Sequence, residues 1–183
     1  MRHVGTASLV AFVILAPALA ACFDTDFGAS HGRYDVEAAL VESSCGQGYT
    51  TPDTADFAVE LFSGEFDVVW RVGDGQPLRG EEREDGAWEF VQEASVAVST
   101  PDGQATDCVL LQRETLVLEG VPEALPEDGQ SPFEPGDVAF EGTSVVEISP
   151  LAGADCRVVL AAFGGAFSAL PCTVDFTLEG AAR

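Results

Sequence analysis

Five cysteines, at positions 22, 45, 108, 156 and 172, are the residues of this 183-residue chain whose chemistry is most tightly bounded by type and number. None stands in a C-x-x-C pair, and two histidines, His3 and His31, make neither a zinc-ligand set nor an H-E-x-x-H helix. A serine or cysteine nucleophile needs an imidazole held within hydrogen-bond reach. His31 falls in a polar stretch that reads as a tether, so it is not expected to serve as that base. Carboxylates are abundant, 31 in all, so the inventory is compatible with a two-carboxylate hydrolase. Acids at this density on a small domain mostly coat solvated faces, and Glu89, Glu93, Asp175 and Glu179 sit on the polar side of alternating segments. The oxygen-rich stretches 24–28 and 126–137 lack the spaced Asp/Asn and closing Glu of a calcium loop. We therefore expect no catalytic residue, no metal and no cofactor.

The chain begins with Arg2 and His3, continues through an apolar run from Val4 to Leu15, and reaches Pro17 and small residues before Cys22. This is the order of a secretory signal peptide. A membrane-spanning anchor is the competing reading, since residues 4–23 are long enough to cross. Pro17, Thr6 and Ser8 weaken it, and no basic stop-transfer cluster follows. Leu19-Ala20-Ala21-Cys22 resembles the lipobox of bacterial lipoproteins. That resemblance implies cleavage before Cys22, a diacylglycerol on its sulfur and acylation of the new amino group. Ordinary cleavage after Ala20 would instead leave Cys22 a thiol. Removing Cys22 from the count leaves four cysteines, an even number suited to two disulfides in an oxidising compartment.

Multiple acyl chains anchor stably because each buried methylene contributes about 0.8 kcal/mol. Residues 22–32 then read as an acidic flexible tether, reaching roughly 35 Å at ~3.5 Å per residue. Phe23, not Asp, follows the cysteine, which points to the outer membrane in bacteria that sort lipoproteins by that residue. Without Arg2 the chain keeps seven Arg against 31 acids, a net charge of −24. Such a surface repels DNA, RNA and anionic lipid, so the expected contacts are a membrane reached through the lipid on Cys22, and an apolar small ligand or an envelope protein.

What must carry these residues is a β-domain. Period-two alternation marks Tyr34, Val36, Ala38 and Leu40; then Phe57, Val59 and Leu61; then Phe66, Val68, Trp70 and Val72. A polar strand follows over 78–84, and Trp88, Phe90, Ala94, Val96 and Val98 share one face of the next. Residues 108–118 are apolar on both faces. After a Pro-rich loop at 120–137 the alternation resumes at Val138, Phe140, Val146 and Ile148, then Cys156, Val158 and Leu160, and finally Cys172, Val174, Phe176 and Leu178. No helical period of useful length appears beyond the leader. The expected domain, residues 33–180, is all-β: an antiparallel meander closed as a lipocalin-like barrel of eight or nine strands, with a β-sandwich as the alternative.

Centring a hairpin on Gly164 sets Cys156 opposite Cys172, so the expected disulfides are Cys156 with Cys172 and Cys45 with Cys108, with the two other pairings of the four cysteines still open. Phe66, Trp70, Trp88 and Phe90 fall on the inward parity, where they either fill a core or line a ligand cavity. The expected function is a lipid-anchored envelope module for binding or interaction, in its sharper form a carrier of an apolar ligand. A structural envelope component with a filled core is its rival, and a carboxylate hydrolase comes third.

Overall fold

Short runs of Val, Leu, Phe and Trp alternating with acids bury one face only, and in a meander that face closes on itself. In the computed structural model, which describes residues 27–99, 104–126 and 131–183, eight strands do so. They are β1 (Ala29–Ser43), β2 (Thr54–Ser63), β3 (Val68–Val72), β4 (Leu78–Glu82), β5 (Trp88–Ser99), β6 (Ala105–Glu119), β7 (Val138–Pro150) and β8 (Cys172–Ala182). Each pairs antiparallel with its neighbour in sequence, and β1 also pairs with β8 from Tyr34↔Ala182 to Ser43↔Val174. The barrel is closed, and the sandwich alternative is set aside.

The interior is filled by matching large residues with glycines across the ladder. Phe140 faces Gly180, Phe90 faces Gly80 and Leu118 faces Gly142. A Cβ added to Gly180 would lie 2.2 Å from the Phe140 ring, one on Gly80 would lie 2.6 Å from the Phe90 ring, and one on Gly142 would lie 2.9 Å from Leu118. Each bulky side chain occupies the space its partner leaves. Around them Tyr34, Val36, Val59, Leu61, Trp70, Trp88 and Leu116 complete one core at the end where β1 begins. A second core at the opposite end holds Cys45, Cys108, Leu110, Ile148, Cys156, Val159, Phe167, Cys172 and Val174, and Phe176 packs against both.

Two expectations fail at that second end. The segment with Cys156, Val158 and Leu160 is not a strand; it makes two single-turn 3-10 helices, Arg157–Val159 and Ala161–Phe163. The alternation there is followed by Gly164 at φ 85° and Gly165, which turn the chain so that Ala161 and Phe167 bond as loop backbone. Without that hairpin, the pairing of Cys156 with Cys172 and of Cys45 with Cys108 is wrong. The disulfides join Cys45 to Cys172 and Cys108 to Cys156, with Cα separations of 5.0 and 4.5 Å. The physical reason is adjacency. Closure lays β8 beside β1, where Ser44 N–H donates to the Thr173 carbonyl at 2.9 Å, so Cys45 meets Cys172. Leu151 N–H donates to the Val109 carbonyl at 2.8 Å, bringing the exit of β7 and Cys156 to Cys108 on β6. β1 and β6 are not neighbours.

The β3–β4 hairpin is short. β2 pairs with β3 only over Val59–Ser63, and β5 pairs with β4 only over Trp88–Phe90. Toward the disulfide end, among the described residues, no strand stands between β2 and β5.

The interlock predicts a coupled response. Gly180→Val should destabilise the barrel by about 3 kcal/mol through overpacking against Phe140. Gly180→Ala combined with Phe140→Leu should cost less than the sum of the single changes, as read from urea midpoints at constant m-value. Additive losses would show that the two positions do not share space.

Candidate functional site

Cys22 and the leader at 1–21 lie outside the described residues. The chain is held from Phe27 onward, whose ring lies 5.3 Å from that of Phe62 with the Arg71 guanidinium 5.4 and 5.3 Å from the two centroids. The expected tether therefore ends sooner than residue 32, since β1 begins at Ala29 and pairs with β2 from Ala29↔Ser63. The sequence signal was masked because Ala29, Ser30 and Gly32 carry no apolar alternation.

His31, read as a tether residue, is buried and firmly placed. Its Nδ1 is 2.6 Å from the Pro122 carbonyl, which can only accept, so Nδ1 carries the proton in the neutral ring. Nε2 then accepts from the Ser63 hydroxyl at 2.7 Å, and the ring meets Trp88 edge-on with centroids 4.7 Å apart. A serine on a histidine oriented by a third group has the outline of an activated nucleophile. Its surroundings do not complete one: Ser63 stands in the ladder between Ala29 and Val68, and the neighbouring Gly64 N–H is spent on the Asp67 carbonyl at 2.8 Å, leaving that donor unable to stabilise an oxyanion. The arrangement acts as a clamp, tying β1, β2 and the 120–126 loop at one pole. Tyr34 joins it by donating its hydroxyl to the His31 carbonyl at 2.5 Å.

The four aromatics expected inside divide three to one. Trp70, Trp88 and Phe90 are buried and in mutual contact, with Trp70–Phe90 and Trp88–Phe90 centroids 6.2 and 6.5 Å apart. They pack in the core at the end of the barrel where β1 begins. Phe66 lines nothing: it is 86% exposed, because the turn closed by Gly64 N–H and the Asp67 carbonyl delays the strand to Val68.

At the opposite pole, Thr106, Asp107, Asp155, Arg157, Val158 and Phe163 border an open groove of about 440 Å³. Arg157 grips Asp155 through Nε at 2.9 and 3.1 Å and through Nη2. The guanidinium holds the Asp155 carboxyl down at about 2, and the pair satisfies itself. Phe163 is two-thirds exposed at the rim.

Between the two cores runs a polar belt that composition could not reveal. Glu114 faces inward and accepts from the Ser144 hydroxyl at 2.7 Å and from the Gln92 amide across the ladder. Both donors are neutral. A two-carboxylate hydrolase requires a second acid in reach, and here the partners of both Glu114 oxygens are a hydroxyl and an amide. Among the described residues no three His, Cys, Asp or Glu come together in a way that could hold a metal. The signal for Glu114 was present but faint: it lies on the same parity as Cys108 and Leu110 in a segment whose both faces read as apolar. No family model, curated protein or solved structure matches the chain.

Burial raises the Tyr34 phenol from 10.0 to about 12, and raises Tyr49 as well. The unfolded chain ionises first as pH climbs, so these phenols contribute stability fully below pH 10 that is lost between 10 and 12. Denaturant midpoints should fall across that window, and Tyr34→Phe should flatten most of the slope, leaving the part due to Tyr49. An unchanged slope in that variant would contradict the assignment.

Proposed function

We propose that this chain is a lipid-anchored β-domain of a bacterial envelope that works as an interaction module through the outside of its barrel, not as a carrier of an apolar ligand. The observation that bears most weight is the interlocked interior. Trp70, Trp88, Phe90 and Phe140 occupy the anchor-side half of the barrel, with Phe90 and Phe140 directly across the ladder from Gly80 and Gly180, which leaves recognition to the walls and the disulfide pole. The anchor is supported by Leu19-Ala20-Ala21-Cys22 and by the cysteine count, because the other four pair with one another and leave Cys22 over. Phe23 favours the outer membrane, and the acidic surface disfavours nucleic acid.

Polarity fits this reading. β1 starts and β8 ends at one pole, so an anchor preceding Phe27 presents the disulfide pole and the Asp155–Arg157 groove away from the bilayer.

Cys22→Ser should move the protein from the membrane to the soluble fraction of bacterial cells with no change in the thermal unfolding of the barrel. Retention in the membrane would overturn the anchor. Titrating the released protein with a fluorescent fatty-acid probe should leave Trp emission unchanged, and a saturable change would restore the carrier.

A further inference from the structure

The short β3–β4 hairpin leaves strand edge exposed. Beyond Phe90, β5 continues to Ser99 with β6 on one flank and, among the described residues, no strand on the other. This free edge reads Val-Gln-Glu-Ala-Ser-Val-Ala-Val-Ser, with no Pro, Lys or Arg. Its single charge, Glu93, lies on the outer face 3.7 Å from Arg113. Proteins usually blunt such an edge with charge, proline or a bulge. Here the register shift comes only near the end, between Ala97 and Ser99, and the Val98 carbonyl is taken by the Thr106 hydroxyl at 2.6 Å. Gln92 and Ala94 have inward parity yet are exposed, so solvent enters the barrel wall at this notch. Glu114 stands beside them with neutral partners and, among the described residues, in no ion pair.

We infer that the β5 edge receives an extended segment of a basic partner protein, which adds as a strand along Val91–Ala97 and places a lysine or arginine of its inward face at Glu114. Backbone hydrogen bonds to the free edge supply the pairing, and the alternation of the incoming strand supplies selectivity. Its inward positions meet Gln92, Glu114 and Val96, which suit a cation flanked by apolar residues. Charge chooses the occupant. A second copy of this chain would bring another strongly acidic barrel to the same face, whereas a basic segment is drawn in by the field of the whole domain. This rests on the reading of the barrel as an interaction module and gives that reading a partner chemistry.

The probe is an end-capped peptide of alternating Lys and Val, with a Glu–Val peptide as its counterpart, added to the purified full-length chain. Binding of the Lys–Val peptide should slow amide hydrogen exchange at alternate residues within Val91–Ala97, and the Glu–Val peptide should not. Glu114→Gln should weaken Lys–Val binding about tenfold, the loss of one charge-assisted contact. Ala97→Lys, at an exposed edge position, should weaken it comparably and covers the case in which Glu114→Gln disturbs the fold. Equal binding of both peptides, or protection elsewhere on the barrel, would overturn the inference. So would protection of the same amides without peptide together with self-association in sedimentation, which assigns the edge to a second copy. None of these readouts depends on Cys22, so a failed anchor and a failed strand addition are told apart.

Discussion

An eight-stranded barrel is just wide enough inside for side chains, and that limit governs the rest of this molecule. Five aromatic rings, those of Tyr34, Trp70, Trp88, Phe90 and Phe140, in one half of so narrow a tube need room that ordinary strand residues cannot give. Gly80 and Gly180 give it, each directly across the ladder from a ring, and Gly142 does the same for Leu118. The alternation that makes the strands is thus only half of the specification. The other half is complementarity of size across neighbouring strands, which sets register as firmly as the turns do.

One pole is closed by the His31 clamp and its link to Pro122, the other by the Cys45–Cys172 and Cys108–Cys156 disulfides beneath the loop that holds Phe167. Accessible among the described residues are the groove at Asp155 and Arg157 and the gap left by the short β3–β4 hairpin. The polar belt at Glu114 lies where that gap meets the interior, so an interior carboxylate is wetted from the side without opening either pole.

The strands and their inward faces were legible because alternation is local: Tyr34 to Leu40, Trp88 to Val98 and Cys172 to Leu178 each announce an inward face within a few residues. What escaped depends on neighbours far apart in sequence. The disulfide pairing follows from β1 lying beside β8 and not β6, a fact carried by closure and invisible in spacing. Cys156, Val158 and Leu160 alternate like a strand, yet the glycines at 164 and 165 and the covalent link to Cys108 fold them into a cap. His31 was hidden by its polar neighbours, and its partners Ser63 and Pro122 lie 32 and 91 residues away. Phe66 shows the converse error, an apolar residue at the right parity one turn too early.

The pinning of Phe27 beside Phe62 and Arg71 gives the barrel a mechanical polarity. A pull arriving at Phe27 runs along the axis of β1, which is flanked by β2 from Ala29 to Ala39 and by β8 from Tyr34 to Ser43. Both neighbours are antiparallel, so the load falls on two ladders in shear and the hydrogen bonds share it, where a peeling geometry would break them in turn. At the far end of β1 the Cys45–Cys172 bond stops the strand from sliding out. A domain pulled at that terminus would thus meet tension with both ladders of β1 and a covalent stop, and the short β3–β4 hairpin lies off that line of force.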